Sequence, residues 1–286
     1  MRKKPGILIT TGDPKGIGPE VVKKALKDPQ IRRLADFFII EARDRAGFDA
    51  IEKAVGILKR YEVDGLVTAP VNKAAINKAG IAFKGHTEYL AGVFRVKKFA
   101  MMFCRENFRV SLVTRHVALK NVAASLSRKK IRDTIILTEK ALREDFRIKK
   151  PRICVCGLNP HCGENGLMGD EEKRIVGPIV AGLRSRIQGL EGPLPADVAF
   201  YMAHKARFDA VVAMYHDQGL GPFKMIAFED GVNVTLGLPF VRTSPDHGTA
   251  YDIAGKGIAN PASMKAAIRL AVKMCIVQGA LFKAKP

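Results

Sequence analysis

The chain has 286 residues, 47% of them apolar and 27% charged, the composition of a folded globular protein with room for one large or two ordinary domains. No apolar run approaches the roughly 20 residues that a bilayer-crossing helix needs. The basic-then-apolar start is broken by Gly12, Asp13 and Pro14 too early for a secretory signal, so a cytoplasmic protein is expected. A formal charge of +20 taken alone suggests an anionic partner. Its basic residues are scattered in pairs such as Lys23-Lys24, Lys97-Lys98 and Lys149-Lys150, however, and there is no Trp to stack on bases. That pattern describes a solvated, lysine-rich surface rather than a nucleic-acid footprint.

Short apolar runs read as strands in "GILITT", "DFFII", "DGLVTAP", "RICVCGLN", "DAVVAMYH" and "VNVTLG", because each is brief, rich in β-branched residues and bounded by turn formers. Between them, amphipathic spacing predicts helices over Phe48–Tyr61, Lys130–Phe146, Glu171–Ile187 and Asp197–Arg207. Such alternation predicts an α/β fold with a mostly parallel sheet and helices on both faces. "FAMMFC-REN-FRVSLVT" departs from it: two apolar runs around a three-residue turn predict an antiparallel hairpin. The chain closes with "PASMKAAIRLAVKMCIVQGALF", a long helix expected to bury its Ala and Leu face.

The loop "GDPKGIGPE" follows the first strand where a dinucleotide fingerprint would stand. Its glycines at 12, 16 and 18 have the spacing G-x-x-x-G-x-G, not G-x-G-x-x-G. Pro19 and Glu20 suit the first turn of a helix, whose free N–H groups could still bind an anion. Glu41 after "DFFII" stands near the expected ribose acid but does not repair the spacing. The five cysteines are an odd, sparse set that argues against a disulfide framework, and Cys154 and Cys156 read as small core residues on one strand face.

Of the six histidines, His204 sits mid-helix and reads as a surface or packing residue. His116, His161 and His216 each follow a strand-like run. Ligands in α/β sheets bind beyond the carboxyl ends of strands, so these three could converge on a divalent metal such as zinc, though spacing alone favours the ordinary structural reading. The loop "HGTAYDIAGKGIANP" combines Gly248, Gly255 and Gly257 with Asp252 before the last helix. It could wrap an adenosine, with Asp252 accepting from ribose hydroxyls and disfavouring a 2′-phosphate.

Together, "GDPKGIGPE", "LVTAPVNK", "GHTEYLA", "VTRHVAL", "LNPHCGENGLMGDEE", "YHDQGLGPFK" and "RTSPDHGTAYDIAGKG" resemble, in order along the chain, the 4-hydroxythreonine-4-phosphate dehydrogenase family of pyridoxal phosphate synthesis. The resemblance implies a two-domain fold like that of isocitrate and isopropylmalate dehydrogenases, with the site in the cleft between domains. Residues 1–80 plus 221–286 would form the cofactor side, and 81–220 the substrate, metal and dimerisation side. It implies metal ligands at His116 and His161 of one subunit and His216 of its partner. Substrate contacts fall on His86, Thr87, Lys224, Asn233 and Arg242, and cofactor contacts on His247, Gly248, Thr249, Asp252 and Asn260.

The implied activity is oxidation of 4-phosphohydroxy-L-threonine by NAD, in preference to NADP, in a homodimer carrying Zn, Mg or Co. The metal and Lys224 would hold the developing alkoxide, and the β-keto acid formed would lose CO2. Alternatives are a dehydrogenase of 4-phospho-threonate or -erythronate or of an aromatic cis-diol and, in another class, a non-catalytic basic nucleic-acid binder. One departure is visible: between residues 27 and 65 this chain is shorter than typical members, its second strand and following region reduced to "DFFIIEARDRAGFDAIEKAV".

Overall fold

A computed structural model describes residues 4–60 and 62–282; Tyr61, the expected end of one helix, lies outside the described residues. The strands are β1 (Gly6–Thr10), β2 (Asp36–Ile40), β3 (Gly65–Thr68), β4 (Ala100–Arg105), β5 (Phe108–Leu112), β6 (Ile153–Cys156), β7 (Leu190–Leu194), β8 (Ala210–Ala213), β9 (Val232–Leu236) and β10 (Val241–Pro245). The chain divides into two compact units, one running up to Lys97 and resuming at Glu229, the other Lys98–Phe228. These borders fall later than the expected 80/81 and 220/221, for reasons of packing. Leu90 of the helix His86–Val93 joins Leu8 and Leu66 in the first unit's core. The helix His216–Ala227 sends Leu220, Phe223 and Ala227 into the second unit's core.

In the first unit the strand order is β2-β1-β3-β10-β9, parallel except for β9 against β10. The final helix, Ala262–Phe282, packs on β3, β9 and β10. It buries Met264, Ala267, Ile268, Ala271, Val272 and Cys275, whereas Leu270 is only half-buried. The Ala half of the expected face is therefore right, and sulfur-bearing and β-branched residues complete it. The helix Phe48–Lys59 covers β1 from its own buried side. The short connection before it is tied down by two bonds: Ala42 N–H donates to Thr11 Oγ1 (3.0 Å) and Arg43 N–H to the buried Asp49 carboxylate (3.0 Å).

In the second unit the order is β4-β5-β8-β6-β7, with only β4 antiparallel. Alternate residues of one strand serve two cores. Cys154 and Cys156 pack with Phe108, Leu112 and Phe200, while Ile153 and Val155 pack with Ile131, Ile135 and Val180. Both sheet faces are thus covered, as a parallel sheet requires. The cysteines are core residues as expected, and burial pushes the Cys104 and Cys154 thiols up to about 12.

Several local expectations shift. The hairpin turns on Glu106 and Asn107 alone, since Arg105 pairs with Phe108. The expected helix over Glu171–Ile187 begins as a wide turn, Glu172–Val176, and becomes regular only over Gly177–Arg184. Pro178 has no N–H to close a normal helical ring there. His204 ends its helix, Ala196–His204, rather than sitting inside it, and is exposed. No described helix is long and apolar enough to cross a membrane.

Candidate functional site

Three parallel neighbours, β5, β8 and β6, end at one edge of the second unit's sheet, and each feeds a histidine-bearing turn. His116 follows β5, His216 opens the helix after β8, and His161 lies in the turn after β6. The rings of His116 and His216 have centroids 5.7 Å apart within one chain. His216 Nδ1 meets Asp217 Oδ1 at 2.7 Å, which orients the ring and engages its Nδ1. His161 lines a cavity of about 480 Å³ with Asn159, Asp197, Tyr215, Asp217 and Gln218. Adjacent imidazoles with one tautomer set by a carboxylate are the donor set a divalent zinc-type cation takes. Among the described residues, however, no three His, Cys, Asp or Glu side chains of the single chain come together as a metal-holding group. Lys224 stands on the same helix as His216, half-buried, with Nζ 5.7 Å from the Phe228 ring centroid.

The first unit gathers a different chemistry. Arg242 of β10 is 3% exposed, and its guanidinium donates to Thr68 Oγ1 (2.6 Å) and Thr235 Oγ1 (3.1 Å). Thr235 in turn shares a 3.1 Å hydroxyl bond with Thr87. Burial pulls the Arg242 pKa down to about 10, opposed by the nearby Glu88 charge, so the group is still a cation at neutral pH. His86 begins the next helix beside it. Burial, followed by the charges of Arg242 and Lys73, pushes this imidazole well below its ordinary value, so it is neutral there. Asn233 lies two residues before Thr235 on the same face of β9. His86 Nε2, Asn233 Oδ1 and Arg242 Nε are all shielded from solvent and have no hydrogen-bond partner among the described residues. Orphaned donors and acceptors around a buried cation are unusual in a folded interior, and the cation is of the type that pairs with an anionic group.

The C-terminal glycine loop rests on the N-terminal one. Ile17 N–H donates to Thr249 O (2.9 Å), Tyr251 O–H to Asp13 Oδ2 (2.5 Å), and Lys24 Nζ to the carbonyls of Gly257 and Ala259 (both 2.8 Å). Glu20 accepts from Ala259 N–H (2.9 Å) and pairs with Lys24 at 2.8 Å. The opening loop that imitates a fingerprint is therefore the seat of the other loop. Asn260 accepts from Ala262 N–H (2.9 Å) and so caps the last helix. His247 Nδ1 lies 3.0 Å from Gly248 O, and Asp252 is exposed. Nothing stands within 4 Å of where a Cβ would sit at Gly248, Gly255 or Gly257, open backbone that a cofactor can approach. Sequence reasoning read Glu20 only as a helix-start acid and Lys24 only as surface charge, and it did not single out Tyr251, Thr68 or Thr235, which act by bracing others.

Two parallel-sheet units, one with a buried arginine among threonine hydroxyls and an open glycine loop and the other with a histidine edge, define an α/β enzyme of the dehydrogenase type. Its fold is that of an isocitrate dehydrogenase from Methylococcus capsulatus, at a TM-score of 0.60 with 16% identity over 98% of this chain and 88% of that one. Residues 39–271 match the family model of the pyridoxal phosphate biosynthetic protein PdxA, and the chain belongs to that family. It is 40% identical over 332 positions to a 4-hydroxythreonine-4-phosphate dehydrogenase of Geobacter metallireducens, covering 96% of this chain and 97% of the relative. The crystal structure of a 4-hydroxythreonine-4-phosphate dehydrogenase from Klebsiella pneumoniae superposes with a TM-score of 0.82 at 35% identity, covering 95% of this chain and 100% of that one.

Proposed function

We propose that the chain is a cytoplasmic, homodimeric 4-hydroxythreonine-4-phosphate dehydrogenase. It oxidises 4-phosphohydroxy-L-threonine with NAD and a divalent metal to a β-keto acid, which decarboxylates to 3-amino-2-oxopropyl phosphate. Family membership supports the reaction class. The observation that carries the substrate assignment is Arg242, a buried cation that donates to two threonine hydroxyls and whose Nε has no hydrogen-bond partner among the described residues.

When bound, the metal supplies Lewis-acid stabilisation at the substrate hydroxyl, and NAD accepts the hydride. His116 and His161 of one subunit and His216 of the other hold that metal. Lys224 would steady the hydroxyl oxygen by a charged hydrogen bond as its proton passes to solvent. Arg242, His86, Thr87 and Asn233 take the anionic substrate, with neutral His86 donating or accepting rather than adding charge. His247, Gly248, Thr249, Asp252 and Asn260 line the cofactor, and Asp252 excludes a 2′-phosphate. Exposed Met225, Phe228, Tyr201 and Leu167 on the second unit suit burial between two copies.

The test is NADH absorbance with 4-phosphohydroxythreonine against 4-hydroxythreonine, run with NAD and NADP in parallel. Removal of the phosphate is expected to lower kcat/KM by orders of magnitude, because charge-assisted bonds of about 1.5–3 kcal/mol each are lost together. Equal efficiency with the unphosphorylated compound or with an aromatic cis-diol contradicts the assignment.

A further inference from the structure

We infer that Glu172 is a positioning residue for His161: its buried carboxylate clamps the backbone ahead of a left-handed turn and thereby fixes where that imidazole stands. The inference rests on the metal reading above and adds to it a residue that touches neither metal nor substrate.

From His161 to Asn165 every residue has positive φ: 50° at His161, 56° at Cys162, 78° at Gly163, 43° at Glu164 and 58° at Asn165. Four of these five carry a side chain, for which the left-handed region is unfavourable. Such a run persists only where its surroundings over-determine it. Glu172 does so from the wide turn that opens the next helix. It is 5% exposed, and its Oε1 accepts from the N–H groups of Leu158 (2.6 Å) and Asn159 (2.7 Å). Asn159 Nδ2 donates to Glu172 Oε2 (3.0 Å) and to Glu171 Oε2 (2.8 Å).

The fit leaves no slack. A Cβ at Gly163 would lie 2.4 Å from Gly169 O and 2.9 Å from Glu172 Oε2, and one at Gly157 would lie 2.9 Å from Glu172 Oε1. Gln218 ties the same turn to the neighbouring one, since its Nε2 donates to Gly157 O (2.7 Å) and its Oε1 accepts from Met214 N–H (2.7 Å). The carboxylate therefore orders the segment running from the end of β6 into the His161 turn. His161 itself is exposed, so its place depends on the backbone that carries it.

The test is calorimetric titration of the purified full-length chain with Zn(II), comparing wild type with Glu172→Ala, Glu172→Gln and His161→Ala. Glu172→Ala is expected to weaken zinc binding at least tenfold. Glu172→Gln, whose carbonyl still accepts from Leu158 and Asn159, should recover most of the loss. In a Glu172→Ala/His161→Ala chain the two effects should not add, because both act through one ligand. Should Glu172→Ala not fold, Asn159→Ala removes only the side-chain half of the clamp and is expected to lose severalfold in affinity. Zinc bound as tightly by Glu172→Ala, or by Asn159→Ala in its stead, as by wild type overturns the inference alone. Failure of wild type to bind zinc removes the metal reading and this inference with it.

Discussion

Arg242 keeps a guanidinium inside the first unit, where among the described residues it donates to Thr68 and Thr235. A charge so placed, with the Glu88 carboxylate nearby, is stabilised further when an anionic ligand arrives, which divides its effects on stability and on activity. Arg242→Met removes the desolvation cost but leaves two hydroxyls less well bonded. The unfolding free energy is therefore expected to change by no more than about 1 kcal/mol. The kcat/KM for the phosphorylated substrate should fall by at least about 100-fold, from the loss of charge-assisted bonds. Urea unfolding and steady-state kinetics on one preparation check both halves. A variant that loses stability and activity in proportion would show that Arg242 is structural.

At this scale the sequence exposed residues that present chemistry and hid those that brace it. His116, His161 and His216 were legible because each follows a strand-like run. Glu172 was not, because its work is accepting backbone N–H groups from residues thirteen and fourteen positions away, and no periodicity encodes that.

Among the elements, β10 was the main omission. "VRTSP" has no hydrophobic pattern, yet all five residues are buried. Its polar side chains find partners inside: Arg242 in two threonines and Thr243 Oγ1 in the carbonyl of Ala267 (2.9 Å). The helix His216–Ala227 was hidden for another reason, since Gly219, Gly221 and Pro222 read as loop. Gly219 is there because a Cβ would meet Leu112 Cδ2 at 2.6 Å, so the helix lies tight on the sheet.

The loop after β1 gives a sharper test of element-level reasoning. Gly12 has φ +74°, and a Cβ there would lie 2.2 Å from Pro70 O, the acceptor of Asp13 N–H at 2.8 Å. Gly80 has a similar φ of +82° with nothing within 4 Å. Gly80→Ala should thus cost only the left-handed strain of about 1–2 kcal/mol. Gly12→Ala should cost about 3 kcal/mol or more, because the loop that seats Thr249 and Tyr251 must also shift. Equal costs by denaturant unfolding would mean that the close approach to Pro70 is easily relieved.

For the whole molecule, a mostly parallel sheet was foreseeable from alternating strands and helices and its division in two from the family resemblance, but the borders were not, because they depend on which core a helix joins. The match to the Geobacter metallireducens relative spans 332 positions, against 286 residues here, so the relatives carry segments that this chain lacks. The first unit nonetheless keeps β2 in parallel register with β1, although Phe38 and Ile39 are about half-exposed.

The central claim is a metal site shared between two copies, and the 5.7 Å spacing of His116 and His216 within one chain makes an intrachain site its direct competitor. Mixing decides between them. His161→Ala and His216→Ala chains, each inactive alone, are unfolded together, refolded, and assayed for metal-dependent NADH formation. If the site takes His161 from one subunit and His216 from the other, half of the random dimers hold one intact site, and about a quarter of wild-type activity returns. If all three ligands come from one chain, every site carries a defect and the mixture stays as inactive as its components, which would contradict the shared site.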